Sequence, residues 1–132
     1  MNFQGLCRIV DRTPPRDDQG VLVCFKLADA ELGYVEEYAG MERLEQQIRS
    51  LLTVTGTGEY DGNEVGDGFF RMFMYGDDAD AMCDAIMTAI LYYPALPGSY
   101  MVKRYGGPGA PENCIQLYTP LLASTRACRA TV

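Results

Sequence analysis

The stretch GTGEYDGNEVGDGFF, residues 56–70, places Glu59, Asp61, Glu64 and Asp67 close together, with glycines between them. Carboxylates at this spacing can bind a cation, work as an acid–base pair, or display charge on a turn. A calcium loop needs oxygen ligands at positions 1, 3 and 5, glycine at 6 and a bidentate Glu at 12. Counted from Glu59, Asp61 and Asn63 fit, but Glu64 stands where glycine is required. Counted from Asp61, Asn63 and Gly66 fit, but Val65 and Met72 hold the fifth and twelfth positions. Both registers fail, and no metal is expected.

Acid–base chemistry needs two carboxyls in a cleft whose surroundings push their pKa values apart. On a glycine-rich hairpin tip both would be solvated and ordinary. Turn chemistry alone explains the glycines, Asp61 and Asn63. The stretch therefore reads as a hairpin that displays its acids outward. Tyr60 lies among them as a candidate anchor for a partner.

The chain has no histidine. Ser-His-Asp and Cys-His nucleophiles, histidine bases and histidine metal ligands are thereby excluded. Its five cysteines (Cys7, Cys24, Cys83, Cys114 and Cys128) have no CxxC spacing, which argues against a disulfide framework and a zinc site. YGGPGAPE, residues 105–112, is glycine-rich but lacks the G-K-[ST] ending of a phosphate loop. No cofactor and no catalytic residue are expected, so the chain reads as a protein that is not an enzyme.

Net charge is −7 over 132 residues, and it is unevenly spread. Residues 29–84 hold 14 of the 18 acids but only Arg43, Arg49 and Arg71 against them. Such a field repels phosphate backbones and attracts a basic protein. No apolar run approaches the roughly 18–20 residues of a membrane helix. The first residues are too interrupted by charge for a signal peptide, so the expected setting is the cytoplasm.

The elements that must hold the acidic stretch follow from periodicity. VLVCFKLA (21–28) alternates as a strand, with Val21, Val23, Phe25 and Leu27 on one face and Leu22, Cys24 and Lys26 on the other. A helix is expected within 34–52, where Met41, Leu44, Ile48 and Leu51 or Leu52 recur at helical spacing. Gly40 would mark its start or a break. LTVTGTGEY carries strand character. Asp61-Gly62 then reads as the hairpin turn, with Gly66 and Gly68 as bulges or a looser second turn.

In the following strand Phe70, Met72 and Met74 point one way, and Phe69, Arg71, Phe73 and Tyr75 the other. A second helix starts at Asp77 or Asp78 and buries Met82, Ile86, Ala89, Ile90 and Tyr93. Strands are expected at 100–105 and 113–118, and Thr119-Pro120 suggests a further helix start. Residues 1–20 read as a leader or loop and 119–132 as a C-terminal extension of one domain. The order strand–helix–hairpin–helix–strand predicts an α+β, ferredoxin-like split βαβ fold, an antiparallel sheet with an added edge strand.

The motifs E-x-D-G-x-E-x-G (59–66), Y-G-x-D-A-D-A (75–81) and K-R-Y-G (103–106) resemble those of a group of small bacterial α+β proteins without an assigned activity. The resemblance covers about 50–60 residues of the chain. It implies a compact α+β fold and nothing about chemistry.

If both helices cover Phe70, Met72 and Met74, then Phe69, Arg71, Phe73 and Tyr75 form a second face. Tyr100, Val102 and Arg104, or else Met101, Lys103 and Tyr105, would join it. Aromatic sheet faces stack bases in RNA-recognition modules, but the net charge opposes that use. The cover is then the C-terminal segment, a second copy of the chain or a protein partner. Two functions follow from these residues. One is an acidic, non-catalytic binding protein, of immunity or antitoxin type, that occludes a basic partner. The other is a dimeric small-molecule-binding domain or cryptic enzyme, with Tyr75, Lys103 or Arg104 as polar handles in a pocket between sheet and helices.

Overall fold

A computed structural model describes residues 19–28 and 35–118. The expected extension 119–132, its helix start and most of the leader lie outside the described residues. Seven elements follow one another: β1 (Gln19–Lys26), α1 (Val35–Thr55), β2 (Glu59–Gly66), β3 (Phe69–Gly76), α2 (Ala79–Tyr92), β4 (Tyr100–Arg104) and β5 (Glu112–Gln116). The strands form one sheet in the order β2-β3-β1-β4-β5, antiparallel at every junction. Without β5 this is the ferredoxin-like arrangement, and β5 is the added edge strand.

Both helices pack on one face. Met41, Leu44, Ile48 and Leu52 of α1 and Met82, Ile86 and Ile90 of α2 are buried against Val21, Val23, Phe25, Phe70, Met72, Met74 and Met101. Each such side chain contributes about 1.5–3 kcal/mol on burial. The rings of Phe25 and Tyr93 meet at 4.7 Å between centroids. Gly40 neither starts nor breaks α1. A Cβ there would lie 3.4 Å from the Tyr93 ring, an ordinary contact, so neither the helix nor its packing requires glycine at this position.

Two local expectations are corrected. The β-branched run Thr53-Val54-Thr55 belongs to the end of α1, not to a strand. Gly56, at φ 67°, closes the helix: its N–H donates to Thr53 and that of Thr57 to Leu52, both at 3.2 Å. That glycine-stopped motif satisfies carbonyls the helix end would otherwise strand, and it outweighs strand propensity.

The hairpin turn is the second Asp-Gly pair, not the first. Gly66 pairs with Phe69, leaving Asp67 (φ 55°) and Gly68 (φ 82°) as a two-residue turn with positive φ at both positions. The first pair lies inside β2, where the register shifts between Tyr60 and Gly62 and Asp61 is the bulged residue. Asp78 caps α2, its carboxylate accepting from the Ala81 N–H at 3.1 Å.

Candidate functional site

The structure brings Glu59, Asp61 and Glu64 onto β2, an edge strand of the sheet, with Asp67 at its turn. All four are exposed. Among the described residues no ion pair or side-chain hydrogen bond engages their carboxylates. These are the acids singled out in the sequence, and they form one ribbon of unneutralised charge.

Tyr60 does not stand with them. It is 9% exposed and belongs to the core, so it offers no outward anchor. Its hydroxyl donates to Oε2 of Glu45, and the Arg49 guanidinium lies 4.6 Å over its ring. Asn63 Nδ2 donates to the same oxygen at 2.6 Å. Burial first, then the Glu45 carboxylate, pushes the Tyr60 phenol well above its ordinary value. The bulge explains the sharing. Residues 60 and 63 would face opposite ways in a regular strand. The extra residue at 61 turns both toward α1. Glu45, which helical spacing alone puts on the solvent side, is half-buried as a result.

The sheet's other face carries three rows across all five strands. One is Glu64, Arg71, Cys24, Tyr100, Gln116; the next is Gly62, Phe73, Leu22, Val102, Cys114; the third is Glu59, Tyr75, Gly20, Arg104, Glu112. Phe69, Arg71, Phe73 and Tyr75 therefore share this face as expected. Tyr100, Val102 and Arg104 join them, and Met101 and Lys103 turn to the helices. No described element lies over it. At one end Phe69 and Tyr100 meet edge-on at 5.9 Å, with the Arg71 guanidinium 5.4 Å and the Lys26 ammonium 5.9 Å from the Phe69 ring centre. Toward the other end Leu22, Phe73, Tyr75, Val102, Arg104 and Glu112 line a shallow hollow of about 120 Å³. Gly20 makes room there, since a Cβ on it would lie 3.3 Å from the Tyr75 ring.

The polar handles expected of one ligand pocket are divided between the two faces. Tyr75 and Arg104 line the hollow. Lys103 lies beyond the sheet, its Nζ 2.7 Å from Asp80 Oδ1, an oxygen that the Tyr105 hydroxyl also reaches at 2.7 Å. Lys103, then Tyr105, holds the Asp80 carboxyl below its ordinary range, and Asp80 in turn raises the Lys103 ammonium. Both groups are thus locked in their charged forms, unsuited to exchanging protons near neutrality.

The described cysteines are free. Burial is the main cause raising the thiols of Cys24 and Cys83, so neither is an activated thiolate. Among the described residues no group of three His, Cys, Asp or Glu side chains is placed to hold a metal ion. No described helix is long and apolar enough to cross a membrane. Among the described residues, the strand edge carries the exposed acids and the sheet face the aromatic and arginine side chains. Comparison with protein-family models, with curated proteins and with solved structures finds no match to this chain.

Proposed function

We propose that this chain is an acidic, non-catalytic binding protein of immunity or antitoxin type, working in the cytoplasm, that occludes the functional surface of a basic protein. The observation that carries the reading is the ribbon of Glu59, Asp61, Glu64 and Asp67, exposed along an edge strand with no cation engaging it among the described residues. Unneutralised carboxylates in a row steer a basic partner to the edge and raise its association rate. Rim charge of this kind acts mainly on encounter and salt dependence, and buried contacts hold the complex once formed. Phe69, Arg71, Phe73 and Tyr75 are the neighbouring strand's contribution to that surface.

The small-molecule reading draws less support. The hollow that Tyr75 and Arg104 line, about 120 Å³, is below the roughly 300 Å³ at which ligand pockets begin, and the larger clefts, of about 490 Å³ along α1 and about 410 Å³ between α1 and the end of α2, hold none of the expected handles.

The test is capture from host lysate at low salt, with elution in a salt gradient, using the wild-type chain beside a Glu59→Lys, Asp61→Lys, Glu64→Lys variant. A stoichiometric basic protein held by the wild type and lost by the variant supports the reading. Equal retention by both, or no specific protein on either, rejects it.

A further inference from the structure

We infer that the outer edge of β5 is a dimerisation surface, where β5 of a second copy pairs antiparallel and joins the two sheets into one. The ladder between β4 and β5 fixes which backbone groups that edge offers. The Leu117 N–H donates to the Ser99 carbonyl and the Tyr105 N–H to that of Pro111, both at 3.0 Å. Hydrogen-bonded and non-bonded pairs alternate along an antiparallel ladder. Residues 111, 113, 115 and 117 therefore aim their backbone groups at β4, and Glu112, Cys114 and Gln116 aim theirs outward. Those three are exposed, and no described strand pairs with them on that side.

The two edges of the sheet differ in what guards them. Charge, bulges and proline are the usual devices that keep an edge strand from pairing. β2 carries Glu59, Asp61 and Glu64 along its length and the bulge at Asp61. β5 keeps an unbroken register with β4, contains no proline or lysine, and has its one charge at its first residue, Glu112. α2 packs on β1, β3 and β4 and α1 on β2, so neither described helix overhangs the outer edge of β5.

The distribution of charge makes a second copy the fitting occupant. Residues 29–84 hold 14 of the 18 acids, whereas residues 100–118 carry only Lys103, Arg104 and Glu112 as charges. Two copies joined through β5 hold their acidic β2 edges at opposite ends of the combined sheet, about 40 Å apart at the usual strand spacing. That is several times the screening length of about 8–10 Å. Joined through β2, the same acids would face one another. A two-fold axis normal to the sheet at Cys114 sets Glu112 of each copy opposite Gln116 of the other, and Asn113 opposite Ile115. This register engages the outward N–H and C=O of all three residues in each copy and puts no like charges opposite each other. Assembly closes at two copies, because the remaining edges repel. Both β2 edges stay open, so the pairing does not depend on what β2 binds.

Sedimentation equilibrium of the full chain under reducing conditions, from about 1 µM to about 500 µM, provides the first test. The expected limiting mass is twice 14.6 kDa. Cys114→Pro removes only an outward N–H, which an edge strand tolerates, and raises the dissociation constant about tenfold or more. Cys114→Lys, which sets two ammonium groups at the axis, serves where the proline variant fails to fold, with the same weakening expected. Glu42→Lys on α1 leaves the constant unchanged. The register has its own test in a Cys7→Ser, Cys114→Ser, Cys128→Ser background. Glu112→Cys and Gln116→Cys chains cross-link on mild oxidation when mixed, and neither does so alone, because a hydrogen-bonded pair holds its Cα atoms about 5.5 Å apart, within disulfide range. A wild-type monomer throughout, or a dimer that tolerates both Cys114→Pro and Cys114→Lys, overturns the inference. Cross-linking within either chain alone, or none in the mixture, overturns the register.

Discussion

Tyr60 and Asn63 stand three residues apart on one strand and donate to the same carboxylate oxygen of Glu45. The bulge at Asp61 is what brings them to one side of the sheet. It ties the acidic edge strand to α1 and so sets the line along which Glu59, Asp61 and Glu64 are displayed.

Deleting Asp61 restores a regular ladder and turns either Tyr60 or Asn63 away from Glu45. The expected loss exceeds that of Tyr60→Phe, which removes one hydrogen bond at about 1–2 kcal/mol. Urea unfolding of the two variants ranks them.

The phenol of Tyr60 resists ionisation, because burial and the Glu45 carboxylate both oppose a second negative charge. A folded value above the unfolded one gives stability that is whole below the ordinary tyrosine range, about 10, and lost as pH rises beyond it. Stability measured from neutral to alkaline pH falls less steeply in Tyr60→Phe than in the wild type. Identical slopes would exclude the coupling.

Asp80 and Lys103 join α2 to β4 across 23 residues. The Asp80 value is depressed, so its contribution is present above the ordinary carboxylate range and is lost as pH falls through the depressed folded value. The Lys103 value is raised, so its contribution is present below the ordinary lysine range and fades as pH rises through the raised value. The pair therefore helps most between about pH 4 and 10. Asp80→Asn lowers the melting temperature within that window and brings the variant toward the wild type at pH 2. An equal deficit at both pH values would show that the charge is not what matters.

Gly76 and Gly58 are where the two chain segments beside β2 and β3 touch. A Cβ on Gly76 would fall against the Thr57 carbonyl oxygen, and one on Gly58 would lie 2.5 Å from the Met82 sulfur and 2.6 Å from the Tyr75 carbonyl oxygen. Backbone cannot retreat as a side-chain end can, so Gly76→Ala costs about 2–3 kcal/mol. Gly66→Ala, where a Cβ meets nothing within 4 Å, costs much less. Melting curves of the two single variants separate the outcomes.

The turn makes a sharper claim about the two Asp-Gly pairs. Asp67→Asn preserves the hairpin, because asparagine accepts positive φ as readily as aspartate. Gly68→Ala, at φ 82°, costs about 1–2 kcal/mol. A neutral Gly68→Ala, measured by chemical denaturation, would remove Asp67-Gly68 as the turn.

Periodicity in the sequence determined the element types, the core faces and the ferredoxin-like order. The alternation of Phe70, Met72 and Met74 with Phe69, Arg71, Phe73 and Tyr75 depends on a strand's period of two, which no partner has to supply. The cap of α2 was legible only as Asp77 or Asp78, and the hydrogen bond from the Ala81 N–H assigns it to Asp78. Which Asp-Gly pair turns the chain was not legible, since both have the right residues and only strand pairing chooses between them. The helical fate of Thr53-Val54-Thr55 was set by Gly56 and by packing of Leu52, which override local propensity. Tyr60 reads as an exposed anchor from its acidic neighbours, yet the bulge and Glu45 bury it. The acids of the edge were visible as charge, but their alignment on one strand required the tertiary structure. So did the shared sheet face of Phe69, Arg71, Phe73 and Tyr75 with Tyr100, Val102 and Arg104. It joins strands separated by α2 in the chain and paired through β1, and a register across three strands exists only once they have paired.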